Sequence, residues 1–119
     1  FESVAKQFLP GVPMQIPASA TLLKLLKITK SKRTAYDHIM LNIHDRMKKD
    51  MSYQTSVSAL DVHFPPQTTW MVYTDSVSHA ALAGQHVFEQ TFYLPTEAMF
   101  DPKQSPLKIL ERLTDKELA

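Results

Sequence analysis

Hydrophobic positions change period twice along this chain. They recur at helical spacing up to about residue 50, alternate over residues 59–95, and return to helical spacing after residue 105. Phe1, Val4, Ala5, Phe8 and Leu9 make a short helical face that Pro10-Gly11 ends. Pro10, Pro13 and Pro17 then form an extended connector, and Ser19 or Thr21 is placed to cap a helix from Leu22 to Ile28. The spacing predicts the longest helix from Thr34 to Asp50, with Tyr36, Ile39, Met40, Ile43 and Met47 as its buried stripe. At roughly 100° per residue, Asp37, His44 and Lys48 line one flank of that stripe, while His38, Asp45 and Lys49 point away from it.

Met51 to Ser58 reads as a polar connection. Beyond it, Leu60–Phe64, Thr69–Thr74, Ala80–Leu82 and His86–Leu94 have the alternation of strands, separated by Pro-Pro, polar and Gly turns. After Pro65-Pro66, Gln67 and Thr68 stand where a Gly-containing turn would be comfortable. Along the last strand His86, Phe88, Gln90, Phe92 and Leu94 share one face, and Pro95 stops it. Ser105, with Pro106 at the first helical position, opens a terminal helix on Leu107, Ile109, Leu110 and Leu113. The expected class is α+β in one domain, residues 1–119: helical over 1–50, stranded over 59–95, with a C-terminal helix over 105–116.

Composition narrows this only modestly. A chain of 119 residues with 44% hydrophobic and 21% charged residues has the balance of a globular domain. A formal charge of +1 gives no global reason to bind nucleic acid. The absence of cysteine removes disulfides, thiolate metal sites and thiol nucleophiles together. From Lys24 to Arg33 there are cations and no anion. That run is either a solvated helix face or a basic patch for anionic lipid or an acidic sugar. The chain begins at Phe1 without Met, which reads as an interior position of a longer protein.

The chemistry rests on histidines and acids, because no phosphate loop, nucleophile elbow, CxxC or HExxH occurs. A non-haem iron site needs two histidines and a carboxylate on one face of the metal. The common source of two of these is His-x-Asp on a strand, since residues i and i+2 point the same way. His38, His44, His63, His79 and His86 all lack that pattern. Asp61-Val62-His63 carries the same two ligand types in reverse order and, with His79, is a substitute triad to test. His44 lies where the helix core meets its exposed flank, as a half-buried histidine bonded to a neighbour or as a pocket residue. Gln90, polar on an otherwise apolar strand face, is either a barrel-interior hydrogen bond or a pocket lining.

One block is more specific. Thr69-Trp-Met-Val-Tyr-Thr-Asp-Ser-Val-Ser-His-Ala-Ala-Leu-Ala-Gly-Gln85, followed by Glu89-Gln-Thr-Phe-Tyr-Leu-Pro95, resembles the bacterial Kdo hydroxylases. Tyr36-Asp-His-Ile-Met-Leu-Asn-Ile-His-Asp-Arg-Met-Lys-Lys-Asp50 and Asp101-Pro-Lys-Gln-Ser-Pro-Leu-Lys-Ile-Leu-Glu-Arg-Leu113 are similar to the same family. The resemblance implies a double-stranded β-helix (jelly-roll, cupin-like) oxygenase with flanking helices, of which this chain is the C-terminal portion. It implies Fe(II) as metal, 2-oxoglutarate as co-substrate, and hydroxylation of 3-deoxy-D-manno-oct-2-ulosonic acid (Kdo) in the lipopolysaccharide inner core. His79 would be the last histidine of the iron triad, with the family's His-x-Asp lying before the region matched by Phe1. The fragment alone is then expected to be inactive.

The resemblance further implies a Kdo-bearing lipid A or lipopolysaccharide precursor as partner, no nucleic acid, and a cytoplasmic location with peripheral contact to the inner membrane. His44 and Gln90 become candidates for the substrate or co-substrate pocket. Many oxygenases of this class clamp 2-oxoglutarate with an Arg or Lys about ten residues past the histidine, where this chain has Glu89. The clamp is therefore expected outside the chain. The rival expectations are a non-catalytic β-barrel sugar-binding module and a peripheral membrane-interaction module built on the basic helix.

Overall fold

The fold was analysed in a computed structural model that describes residues 1–13 and 33–119. The helix expected at Leu22–Ile28, its Ser19 or Thr21 cap and the cation run before Arg33 lie outside the described residues.

Helix α1 spans Glu2–Phe8 and runs into a 3-10 turn, Leu9–Gly11, where Pro10 is tolerated because the first positions of a helix have no internal N–H partner. Helix α2 spans Ala35–Lys49, as the spacing predicts. Its start is a capping box: Thr34 Oγ1 accepts from the Asp37 N–H at 3.1 Å, and the Asp37 carboxylate accepts from the Thr34 N–H at 3.0 Å. Arg46, Lys48 and Lys49 occupy its last turn, where cations complement the helix dipole.

Asp50 ends α2 and caps the next helix. Its carboxylate accepts from Ser52 Oγ at 2.6 Å and from the Tyr53 N–H at 3.0 Å, and starts α3, Met51–Ser56. The polar connection expected over Met51–Ser58 is thus mostly helix, fixed by a cap rather than by an apolar stripe. Helix α4 spans Pro106–Thr114, with Ser105 Oγ accepting from the Lys108 N–H at 3.2 Å.

These helices share one core. Ala5 and Phe8 of α1, Ile43 of α2, Leu110 of α4 and Leu118 of the tail are buried together, with Tyr36, Ile39, Met40 and Met47 packed partly against them. Phe8 meets Tyr53 edge to face at 5.3 Å. The tail returns across α2: the Tyr36 N–H donates to the Leu118 carbonyl at 3.0 Å, and the Leu118 N–H donates to Glu111 Oε1 at 3.2 Å. Arg112 reaches Glu2 at 2.7 Å, so α1 and α4 are also joined at the surface.

The sheet expected between Leu60 and Leu94 does not form among the described residues. Among the described residues, Leu60–Phe64, Thr69–Thr74, Ala80–Leu82 and His86–Leu94 are non-helical and join no ladder. Alternation sets which face of a strand is apolar, but a ladder also needs a neighbour whose N–H and C=O groups match. No such neighbour lies among the described residues. From Gln54 to Pro95 every residue is exposed except Asp75 and Ser76. The apolar side chains of that stretch face solvent, with Phe88 at 102%, Met71 at 95% and Tyr93 at 95% of full exposure. An apolar array of this extent marks a surface built to be covered.

A tight turn forms early within it. Thr68 N–H donates to the Pro65 carbonyl at 3.2 Å, and Gln67 takes φ 67°, the left-handed position a glycine would fill. The turn stacks Phe64 on Trp70, with ring centroids 4.8 Å apart and planes 13° apart.

Candidate metal-ligand corner

His79 lies just beyond a corner at which this exposed stretch is hydrogen-bonded to helix α2. The Ser76 N–H donates to the Tyr73 carbonyl at 3.0 Å and closes a turn. Asp75, at its centre, accepts a 2.7 Å hydrogen bond from Tyr36 Oη. Ser78 Oγ donates to Met47 Sδ at 3.2 Å, and Tyr73 Oη makes a weaker 3.9 Å contact to Met99 Sδ. Tyr36 and Met47 sit on the same face of α2, about 16 Å apart along its axis at 1.5 Å per residue. The corner is therefore laid along the helix rather than pinned at one point.

Electrostatics follow this geometry. Burial, and after it the hydrogen bond to the Asp75 carboxylate, push the Tyr36 phenol well above the ordinary tyrosine range. Burial and the same carboxylate raise Tyr73. Both phenols are held neutral, as donors.

The His79 imidazole is exposed, with Nδ1 3.2 Å from the Val77 carbonyl. A carbonyl oxygen only accepts, so this contact takes the proton on Nδ1, and in the neutral ring the lone pair is then on Nε2. That is the usual state of a metal-ligating histidine, whose second nitrogen is held by an outer partner. By its donor chemistry His79 fits one position of an iron site. Among the described residues no three His, Cys, Asp or Glu side chains gather as a metal cage. The substitute triad of Asp61, His63 and His79 is thereby corrected, because the chain from Leu60 to Phe64 has no ladder to carry it alongside His79.

The remaining candidates are separate from this corner. His44 is exposed on α2, not half-buried, and its Nδ1 lies 3.2 Å from Asp45 Oδ1. Gln90 is exposed within the non-helical stretch. Among the described residues no hydrogen bond joins either to His79. His38 Nε2 lies 3.0 Å from the Pro13 carbonyl, a link between α2 and the segment after α1.

The model of the 3-deoxy-D-manno-oct-2-ulosonic acid (Kdo) hydroxylase family matches residues 1–117. The chain belongs to the Kdo hydroxylase family. Two solved structures of Kdo hydroxylase KdoO share its fold. The first, an apo structure of this non-heme Fe(II), α-ketoglutarate-dependent dioxygenase, is 42% identical over 99% of the chain, with a TM-score of 0.94. The second, with succinate and Fe(III), is 32% identical over 99% of the chain, with a TM-score of 0.82. The chain spans 40% of the length of each KdoO chain. No curated protein sequence matches it.

For this Kdo hydroxylase segment the sequence singled out His79 as a candidate and gave no sign of the Tyr36–Asp75 contact beside it. Tyr36 counted only as an apolar stripe position and Asp75 only as part of a polar corner. The available signal was the phenol itself, since a tyrosine on a buried stripe needs a partner for its hydroxyl.

Proposed function

We propose that this chain is the C-terminal portion of an Fe(II)- and 2-oxoglutarate-dependent dioxygenase that hydroxylates Kdo. In this reading residues 1–119 are one unit with a helical part over 1–50 and a helix over 105–116. Residues 59–95 supply strands of a double-stranded β-helix whose partner strands belong to the rest of the enzyme. The observation that carries the proposal is the family match along residues 1–117.

The reaction inserts one atom of O2 into a sugar C–H bond while the other atom converts 2-oxoglutarate to succinate and CO2. Bound iron supplies the site at which co-substrate and oxygen meet. His79 offers Nε2 as one of the protein's metal ligands, and its Nδ1–H, held by the Val77 carbonyl, sets the ring plane. Gln90 offers amide donors and an acceptor to sugar hydroxyls, and His44 a ring N–H to a carboxylate. The exposed apolar side chains of residues 60–94 become the wall that keeps water from the reacting carbon. The substrate is a Kdo-bearing lipid A or lipopolysaccharide precursor, met at the cytoplasmic face of the inner membrane. No helix among the described residues is long and apolar enough to cross a membrane.

The test begins with the encoding DNA read in frame upstream of Phe1, followed by an assay of the encoded protein. A strand-like His-x-Asp together with Kdo-dependent succinate release is the expected result. A start codon just ahead of Phe1, or 2-oxoglutarate turnover indifferent to Kdo, would overturn the proposal.

A further inference from the structure

We infer that Tyr36 is a positioning residue for the metal ligand, acting through Asp75. The inference rests on the proposed role of His79. The path is short and continuous. Tyr36 Oη holds the Asp75 carboxylate at 2.7 Å, the Tyr73–Ser76 turn makes the corner compact, and Ser78 Oγ reaches Met47 Sδ at 3.2 Å. His79 follows Ser78 directly, with its ring bound back to the Val77 carbonyl at 3.2 Å.

Burial marks the same corner. Between Gln54 and Pro95, Asp75 and Ser76 alone are not exposed. Within this chain, the hydrogen bonds of this corner are what tie the stretch carrying His79 to helix α2. Tyr36 is itself fixed from two sides, by core packing and by its backbone N–H on the Leu118 carbonyl at 3.0 Å. A donor anchored in this way transmits the placement of α2 to His79. A hydrogen bond to a carboxylate is also stronger than one between neutral groups.

The experiment uses the full-length enzyme and measures Fe(II) affinity and the charge-transfer absorption of bound Fe(II) and 2-oxoglutarate, beside thermal unfolding and kcat and KM. Tyr36→Phe and Asp75→Ala are expected to weaken Fe(II) binding by up to roughly tenfold, the low end of what losing a direct partner of a metal ligand costs, because they act on His79 through the turn. Asp75→Asn keeps an acceptor for the phenol and is expected to fall between Asp75→Ala and wild type. The loss should appear in kcat and metal affinity, with KM for the Kdo substrate little changed. Ile43→Val, a core change in the same helix, should lower the unfolding temperature without moving metal affinity.

Wild-type Fe(II) affinity in Tyr36→Phe, while His79→Ala loses the metal, would overturn the inference and leave the role of His79 standing. Equal weakening by Ile43→Val would overturn it too, by showing that the effect is general destabilisation. Retention of iron by His79→Ala would remove the reading on which the inference rests.

Discussion

Tyr36 in the first turn of α2 donates a 2.7 Å hydrogen bond to Asp75, thirty-nine residues along the chain. This contact joins the helical core to the stretch that carries His79, and it keeps the phenol protonated. Because the folded-state value is raised, the stability it contributes is complete below the ordinary tyrosine value of about 10 and is lost as pH rises toward the folded value. The wild-type minus Tyr36→Phe difference in phenolate absorbance should therefore show a tyrosine ionising well above that ordinary value. A difference curve centred at the ordinary value would mean that the phenol is not held by Asp75.

The left-handed Gln67 predicts the sign of two substitutions. A non-glycine residue in that region costs about 1–2 kcal/mol, offset in part by the entropy glycine loses on folding. Gln67→Gly should leave stability unchanged or raise it by up to about 1 kcal/mol, whereas Gln67→Val should lower it by about 1–2 kcal/mol. Denaturant midpoints of the intact protein give both values.

Asp50 closes α2 and opens α3 with one carboxylate. Its hydrogen bonds from Ser52 and from the Tyr53 N–H hold it below the usual carboxylate range. A depressed value means that its contribution is present above the ordinary aspartate value of about 4 and is lost as pH falls through the folded one. Glu2 follows the same sign through Lys6 and Arg112, so α3 and the α1–α4 contact should loosen together in acid. Amide exchange at Tyr53, Gln54 and Val57 should rise in acid before that at Leu110. Simultaneous loss would point to a single global transition.

How far the sequence revealed this structure depends on whether each signal was local. Helix α2 was legible from the spacing of Tyr36, Ile39, Met40, Ile43 and Met47, and the start of α4 from Ser105-Pro106. Helix α3 was not, since Met51-Ser-Tyr-Gln-Thr-Ser56 has no apolar period and depends on the Asp50 carboxylate. The turn after Pro65-Pro66 was legible, and Gln67 takes the glycine-like position expected there. The stretch from Leu60 to Leu94 carries apolar alternation but joins no ladder among the described residues, because pairing depends on a partner that alternation does not specify. His79 stands out as a candidate only through family resemblance, whereas Tyr36–Asp75 is a long-range contact with no spacing rule to reveal it.

Phe88 and Leu110 provide opposite controls for the exposed stretch. Leu110 is fully buried in the helical core, and Leu110→Ala should cost about 2–5 kcal/mol. Phe88 is fully exposed in the chain as described. If partner strands of the intact protein cover it, Phe88→Ser should destabilise that protein measurably. An unchanged unfolding midpoint would mean that this face stays uncovered.

The most direct measurement is the iron content and Fe(II) affinity of the intact protein, purified without oxygen, beside its His79→Ala variant. A facial iron site using His79 predicts stoichiometric iron in the wild type and loss of iron, with circular dichroism unchanged, in the variant. Iron held by His79→Ala at the wild-type level would contradict the assignment of His79 as a metal ligand.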